Sequence, residues 1–185
     1  MSARPRRKTY RHGNVKAEAL EAAYAFVAEA GHDSLTLRVV ANAVGVAHRS
    51  LYNHFEDRQA LLDAVATEGF TRLATILTKA KDAADYTKRY VRFALANPAI
   101  YALMASRPHA TMKYNPPLQS AVHKVITEAM RIFCHADQTS QERRRTVINV
   151  YLIHYGGISL YAAGILDLPS EQGLIAELSA MTSRL

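Results

Sequence analysis

Tryptophan is absent from this chain of 185 residues, and Cys134 is its only cysteine. A lone cysteine excludes an internal disulfide framework and is typical of a reducing compartment. Only 8 residues are glycine, which argues against the glycine-rich phosphate loop of a nucleotide-binding fold. No apolar run is as long as a membrane span, and the N-terminus lacks the apolar segment of a signal peptide. We therefore expect a cytoplasmic protein with no membrane partner.

Acidic residues are also scarce, because 16 Asp and Glu stand against 23 Lys and Arg, which gives a formal net charge of +7. A basic balance of this size suits a polyanionic partner, and charge alone leaves nucleic acid and membrane surface both open. Hydrophobic residues make up 49% of the chain, which is enough for a packed core in one or two small domains.

The first segment, residues 1–13, concentrates positive charge and contains no acidic residue. Pro5 and Gly13 discourage regular structure there. We interpret the segment as a basic arm in which Arg7, Lys8 and Arg11 follow phosphates or reach into a minor groove. The alternative is a solubilising tail.

Residues 34–62 have the layout of a helix-turn-helix followed at once by another helix. The first helix is apolar at the spacing i, i+3, i+4, i+7, at Leu37, Val40, Ala41 and Val44. Thr36 can cap this helix, and Gly45 ends it. A second short helix then buries Ala47, Leu51 and Phe55.

The remaining face of that second helix carries hydrogen-bonding and cationic side chains: His48, Arg49, Tyr52 and Asn53, with Ser50 on its flank. Such a face suits a helix that enters a DNA major groove. Arg49 can pair with guanine O6 and N7, and His48 and Ser50 can contact bases or phosphates. Thr36 and Arg38, at the start of the preceding helix, can bind the backbone of the same DNA strand. The alternative is an ordinary solvated face.

The rest of the chain also predicts helices, so the expected fold class is all-α. A helix over residues 14–30, capped by Asn14 and ended by Gly31, precedes the motif. Asp57 can cap a long helix that runs to about residue 81. Further helices are predicted over 85–97, 99–105, 118–135, from 140 to about 166, and from a cap at Ser170 onward, with a loop over 106–117. We divide the chain into an arm (1–13), a head (14–60) and a helical bundle (61–185).

The N-terminal motifs resemble the DNA-binding domain of the tetracycline-repressor (TetR) family. The resemblance covers about residues 14–62 and is carried by Leu20-Glu21-Ala22-Ala23, Gly31, Leu35-Thr36-Leu37-Arg38, Val44-Gly45-Val46, Leu51-Tyr52-Asn53-His54-Phe55 and Arg58-Gln59-Ala60-Leu61-Leu62. It implies a homodimeric transcriptional regulator, in most cases a repressor that a small molecule releases from a palindromic operator. It also implies that Tyr52 and His54 hold phosphates or brace the reading helix. His54 could instead be a core histidine beside Phe55.

Arg58 stands where that family commonly has lysine. In the first turn of a helix its charge can add to the backbone donors that face a phosphate. We therefore expect Arg58 to contact DNA.

The second half resembles one subtype of the family, whose C-terminal domain is marked by a Trp, His and Gly signature. The similarity is carried by Tyr90-Val91-Arg92-Phe93-Ala94 and Asn97-Pro98-Ala99-Ile100-Tyr101-Ala102-Leu103-Met104, with Tyr10-Arg11-His12-Gly13-Asn14 as the matching arm. The signature itself is degenerate, since Tyr151, Tyr155 and Gly156 stand in its place.

The resemblance implies an effector pocket and a dimer interface in this half. Pocket candidates are the aromatic, Met and His residues Phe93, Tyr101, Met104, Met112, Tyr151, His154 and Tyr155, all of which could also be ordinary core. Residues 147–161 are apolar nearly all round, so a second chain is expected to cover one side. The expected interface includes Tyr151, Gly157, Tyr161, Leu174, Leu178 and Met181.

The sequence gives no support for a cofactor, a metal site or catalysis. Four scattered histidines show no i, i+4 pair, and neither a nucleophile elbow nor a phosphate loop is present. We expect a non-enzymatic DNA-binding regulator with a small apolar or amphipathic effector. The alternatives are a DNA-binding dimer without an effector, acting as an architectural or constitutive factor, and, remotely, a small helical enzyme.

Overall fold

The computed structural model describes residues 14–108 and 112–185. Within these ranges the chain is all-α, as predicted, and none of its helices combines the length and hydropathy that crossing a bilayer requires. The helices are α1 (Val15–Ala30), α2 (Leu37–Val44), α3 (His48–Leu51), α4 (Arg58–Leu77), α5 (Ala83–Ala96), α6 (Pro98–Ala105), α7 (Pro116–Phe133), α8 (Ser140–Ala162) and α9 (Glu171–Thr182).

The predicted helix caps are confirmed with one exception. Thr36, Asp57 and Ser170 each accept the backbone N–H three residues further along, so each satisfies a donor that the helix leaves unpaired. Asn14 occupies the N-cap position of α1, but its side chain makes no capping bond. Asn14 is therefore the N-cap residue, as predicted, but its side chain satisfies no backbone donor of α1.

Two of the helices end earlier than predicted. α4 ends at Leu77 instead of near residue 81, because the Arg131 guanidinium of α7 donates to the carbonyls of Leu77 and Ala80 at 3.2 and 3.0 Å. α8 also ends earlier than expected, just before Gly164, whose φ of 68° lies in the left-handed region that favours glycine.

The first three helices form a small head around its own part of the core. α1 contacts α2 and α3, and α2 contacts α3. Gly45 has a φ of 74° and makes the tight turn between α2 and α3. Val27, Val40, Leu51 and Phe55 are buried between these elements. The head therefore has the helix-turn-helix arrangement that the sequence predicts.

Arg58 fastens α4 to the loop between α1 and α2. Its Nε donates to the Leu35 carbonyl at 2.7 Å, and its Nη2 donates to the carbonyls of His32 and Asp33 at 2.7 and 2.9 Å. The guanidinium is thus engaged inside the protein. This corrects the expectation that Arg58 is a phosphate ligand, and assigns it to holding the head on α4.

The C-terminal bundle shares α4 with the head. α4 packs against α5, α6 and α7, while α5 also contacts α8 and α9. Gly69 allows α4 and α6 to approach closely, because a Cβ atom there would lie 2.8 Å from the Met104 sulfur and 3.0 Å from Ile100 Cγ2. α6 also contacts α1, so this short helix touches both the head and the bundle. The division of the chain at residue 60 stays a prediction.

His154 is a core residue of the bundle and joins α8 to α5. Its Nδ1 lies 2.7 Å from the Val150 carbonyl and its Nε2 lies 3.1 Å from the Thr87 hydroxyl. Because a carbonyl can only accept, Nδ1 carries the proton and Nε2 accepts from Thr87. Thr87 also lies 3.4 Å from the Thr182 hydroxyl of α9. Burial lowers the pKa of His154 to about 4, so the imidazole is neutral at physiological pH.

Three of the predicted interface residues are in fact used within one chain. Leu174 and Leu178 are 0% and 3% exposed, because α9 packs on α5 and α8. Gly157 permits that packing, since a Cβ there would lie 2.5 Å from Leu178 Cδ2. The assignment of these three residues to a dimer interface is therefore corrected.

Other apolar side chains of α8 and α9 do reach the surface. Leu152, Leu160 and Met181 expose 58%, 41% and 54% of their area. Tyr151 is 48% exposed, and Tyr161 is half-buried. We name the surface formed by Leu152, Leu160 and Met181 the α8–α9 face.

We predict that His154 makes the stability of the protein depend on acid pH. The unfolded state binds a proton near pH 6.5, whereas the folded state binds it only near pH 4. The free energy of unfolding should therefore fall between pH 6.5 and pH 4, with a contribution approaching about 1.4 kcal/mol per pH unit. Urea denaturation at a series of pH values measures this slope.

His154→Gln should remove that contribution, and His123→Gln, at an exposed position of α7, serves as the matched control. An equal slope in the wild-type protein and His154→Gln would show that the buried imidazole does not cause it.

We also predict that Arg58→Ala lowers the free energy of unfolding by about 2 kcal/mol, since the hydrogen bonds of a charged donor disappear and three carbonyls are left without their partner. Arg38→Ala is the control, because Arg38 is exposed and its replacement should cost less than about 0.5 kcal/mol. Chemical denaturation without DNA makes the comparison. If the two variants are equally stable, the hydrogen bonds of Arg58 do not hold the head on α4.

Candidate DNA-binding face and internal cavity

The predicted reading residues lie together on one side of the head. Leu51 and Phe55 are 0% and 3% exposed and anchor the segment from beneath. The solvent side carries the exposed residues His48, Arg49, Tyr52, Asn53 and His54, with Ser50 half-buried. Because His54 is exposed, the alternative that it is a core histidine is excluded. We name this set the reading face.

The second helix of the motif is shorter than expected. α3 is a single turn, and the chain continues as a turn in which the N–H groups of His54 and Phe55 donate to the Leu51 carbonyl, each at 2.9 Å. Ala47 is the N-cap residue and is exposed, which corrects the expectation that it is buried. The His48 and Tyr52 rings meet edge-on at 5.2 Å and order the side chains of the reading face.

The cationic groups on this side of the head are free to bind a ligand. Across residues 14–108 and 112–185, no hydrogen bond or ion pair holds the guanidinium of Arg38 or Arg49. Thr36 accepts the Val39 N–H through Oγ1, so its own proton can still be donated outward. Such unpaired donors match the acceptors of phosphates and base edges. Arg7, Lys8 and Arg11 lie outside the described residues.

A cavity of about 970 Å³ lies inside the C-terminal bundle. Helices α5 to α8 contribute to its walls. Five of the seven predicted pocket residues line it, namely Tyr101, Met104, Met112, Tyr151 and Tyr155. Phe93 and His154 do not line the cavity, because both are buried on other sides of their helices. Their assignment to the pocket is corrected.

Several lining residues were not predicted from the sequence, among them Tyr86, Tyr90, Arg107, Arg143 and Arg144. Tyr86 and Tyr90 share one face of α5, four residues apart, and this spacing was a usable signal. The three arginines were not recognisable, because a charged side chain at the end of a helix normally indicates solvated surface.

Five tyrosines contribute hydroxyls to the cavity lining: Tyr86, Tyr90, Tyr101, Tyr151 and Tyr155. Burial raises the pKa of Tyr90 to about 12, and burial also raises the pKa of Tyr101, so both hydroxyls are neutral donors. The Tyr101 hydroxyl is buried without a partner at hydrogen-bonding geometry among the described residues, although Tyr90 is near enough to affect its pKa. A buried donor without an acceptor is costly and is usually explained by a ligand or a water.

Metal-binding groups do not assemble around either feature. In the described part of the chain, no three His, Cys, Asp or Glu side chains are close enough to hold an ion together.

Two family profiles cover most of the chain. Residues 19–65 match the bacterial regulatory proteins of the tetR family, and residues 84–181 match the tetracyclin repressor-like C-terminal domain. The first match spans the reading face, and the second spans most of the cavity.

Individual proteins agree with these matches. A solved structure from Rhodococcus sp. RHA1, of a protein with unknown function, is 31% identical, has a TM-score of 0.77 and covers 97% of this chain and 99% of its own. The class A tetracycline repressor protein from transposon 1721 of Escherichia coli is 26% identical over 158 residues, 85% of this chain and 72% of that protein. The transcriptional repressor AcnR of Corynebacterium diphtheriae is 25% identical over 173 residues, 83% of this chain and 88% of AcnR.

The two profiles, the helix-turn-helix head with its exposed reading face and the all-α body with its cavity agree with one another. The chain therefore belongs to the tetracycline-repressor family of DNA-binding transcriptional regulators, whose members are not enzymes.

Proposed function

We propose that the protein is a homodimeric repressor that binds a palindromic operator and leaves it when a small apolar or amphipathic effector enters the cavity. The observation that supports DNA binding is the reading face, where the exposed Arg49 guanidinium makes no hydrogen bond or ion pair in the described ranges and lies above buried Leu51 and Phe55. A regulator of this kind must reach chromosomal DNA, which in bacteria lies in the cytoplasm, and this supports a cytoplasmic location.

Dimerisation is supported by the α8–α9 face. Three large apolar side chains of α8 and α9 are 41% to 58% exposed, and exposed apolar surface is a feature of protein interaction sites. A two-fold dimer presents two heads in opposite directions, so the operator has two inverted half-sites about one helical turn apart or slightly more.

The contacts between cavity and head support regulation by a ligand. Met104 of α6 lines the cavity, and α6 also contacts α1 of the head. Arg107, at the end of α6, lines the cavity and pairs with Asp63 of α4 at 2.9 Å. A ligand that binds one arrangement of α6 more tightly than another would shift the population of head positions.

We predict that Arg49→Ala reduces discrimination between operator and random DNA, because removing a bidentate base contact costs about 1–3 kcal/mol of specificity. Arg38→Ala should instead weaken binding to both and flatten the log–log salt slope by about 0.9, since one phosphate is no longer neutralised. Operators selected from random duplexes by the purified chain, followed by titration at several salt concentrations, give both quantities. Intact operator preference in Arg49→Ala would show that the reading face is misassigned.

We also predict that Leu152→Glu dissociates the dimer, because it places a carboxylate in an apolar contact surface. Sedimentation equilibrium should show the monomer mass, and affinity for the two-half-site operator should drop with it. Tyr114→Glu is the matched control, since Tyr114 is 77% exposed but lies away from the α8–α9 face. A Leu152→Glu protein that remains a dimer would place the interface elsewhere.

A further inference from the structure

The cavity walls carry positive charge without a matching negative charge. Arg107, Arg143 and Arg144 line the cavity, and no Asp or Glu is among the described residues that do so. Residues 1–13 and 109–111 contain no acidic residue in the sequence, so they supply no carboxylate either. The described lining therefore carries arginine charge and no carboxylate.

The three arginines differ in how their charge is balanced. Arg107 pairs with the Asp63 carboxylate at 2.9 Å and is compensated. Within the described ranges the Arg143 guanidinium donates to two carbonyls, those of Gln138 and Ala136, at 3.2 and 3.1 Å, and to no carboxylate. Arg144 is exposed and has neither an ion pair nor a hydrogen bond in the described ranges. The uncompensated charge thus lies at the start of α8.

Asp137 lies in the turn whose Ala136 and Gln138 carbonyls Arg143 bonds, but it is exposed and makes no ion pair with Arg143 or Arg144 in the described ranges. Two other carboxylates, Glu142 and Glu128, are engaged elsewhere. Glu142 accepts from the backbone N–H and the hydroxyl of Thr139, both at 2.7 Å, and so completes the cap of α8. Glu128 pairs with Arg131 at 2.7 Å. Neither carboxylate lines the cavity, and neither bonds to Arg143 or Arg144.

A second and independent feature is a buried hydroxyl that could donate to a ligand. The hydroxyl of Tyr101 is buried and lacks a hydrogen-bond partner among the described residues, while the residue itself is 8% exposed and lines the cavity. The rest of the wall is largely apolar and includes Val122, Val125, Ile126 and Met130. The cavity therefore combines an apolar surface, a buried hydroxyl close to Tyr90 that makes no hydrogen bond of good geometry in the described ranges, and an unbalanced cationic end.

We propose that the cavity takes an amphipathic anion, with an apolar or aromatic body against α7 and one carboxylate or sulfonate group bound by Arg143 and Arg144. This inference rests on the proposed function, in which the cavity is the effector site, and adds the charge of the effector to it. Guanidinium groups suit such a ligand because their charge-assisted hydrogen bonds to oxyanions are among the stronger ones in proteins.

Two fluorescent probes with the same aromatic skeleton test this inference on the full-length protein. 1-Anilinonaphthalene-8-sulfonate carries the anionic group, and N-phenyl-1-naphthylamine lacks it. We expect the sulfonate probe to bind about tenfold more tightly than the neutral probe at low ionic strength. The difference should shrink as salt is added, because the cationic end is partly open to solvent.

Arg144→Gln should remove most of that preference, and Arg143→Gln together with Arg144→Gln should remove it. Arg145→Gln is the matched control, since Arg145 is exposed on the same turn of α8 but does not line the cavity. Because Arg144 makes no hydrogen bond or ion pair within the described ranges, we expect its replacement to leave the fold intact even where Arg143→Gln disturbs the turn before α8.

The outcomes separate the two levels of the proposal. Equal affinity for both probes, or an equal effect of Arg144→Gln and Arg145→Gln, would overturn the anion assignment and leave the cavity as a site for neutral ligands. Failure of both probes to bind would overturn the cavity as a ligand site altogether. Operator binding in the same preparation is independent of either result and tests the DNA-binding function.

Discussion

The Arg58 guanidinium holds the two halves of this protein in a fixed relation. It bonds to three carbonyls of the loop between α1 and α2, at 2.7 to 2.9 Å, from the first residue of α4. Because α4 then continues into the bundle without interruption, the position of the head follows the position of α4. The orientation of the reading face can therefore depend on residues that do not contact DNA.

The same constraint gives the cavity a route to the head. α6 lies between the cavity and α1, and Arg107 at its end ties it to Asp63, just over one turn after Arg58 on α4. A ligand that changes the preferred position of α6 therefore affects two contacts, that of α6 with α1 and that of Arg107 with Asp63. The energy available for this is limited to the difference in ligand affinity between the two arrangements.

Local features of the sequence were predictable, and long-range partners were not. Thr36, Asp57, Ser170 and Gly45 act through bonds or turns within a few residues, so sequence patterns identified them. Arg58 was misassigned because its partners lie 23 to 26 residues earlier in the chain. Helical periodicity identified the apolar stripes of α8 and α9. It could not tell the core side, where His154 and Leu174 lie, from the cavity side or the surface.

Methylation interference tests the central claim, that the reading face is presented to a major groove, most directly. Guanine N7 projects into the major groove, so methylating it blocks a side chain that reads that edge. For an operator selected by the full-length chain, the account predicts that N7 methylation prevents binding at guanines in two half-sites about one helical turn apart. Undiminished binding to duplexes methylated throughout both half-sites would contradict it.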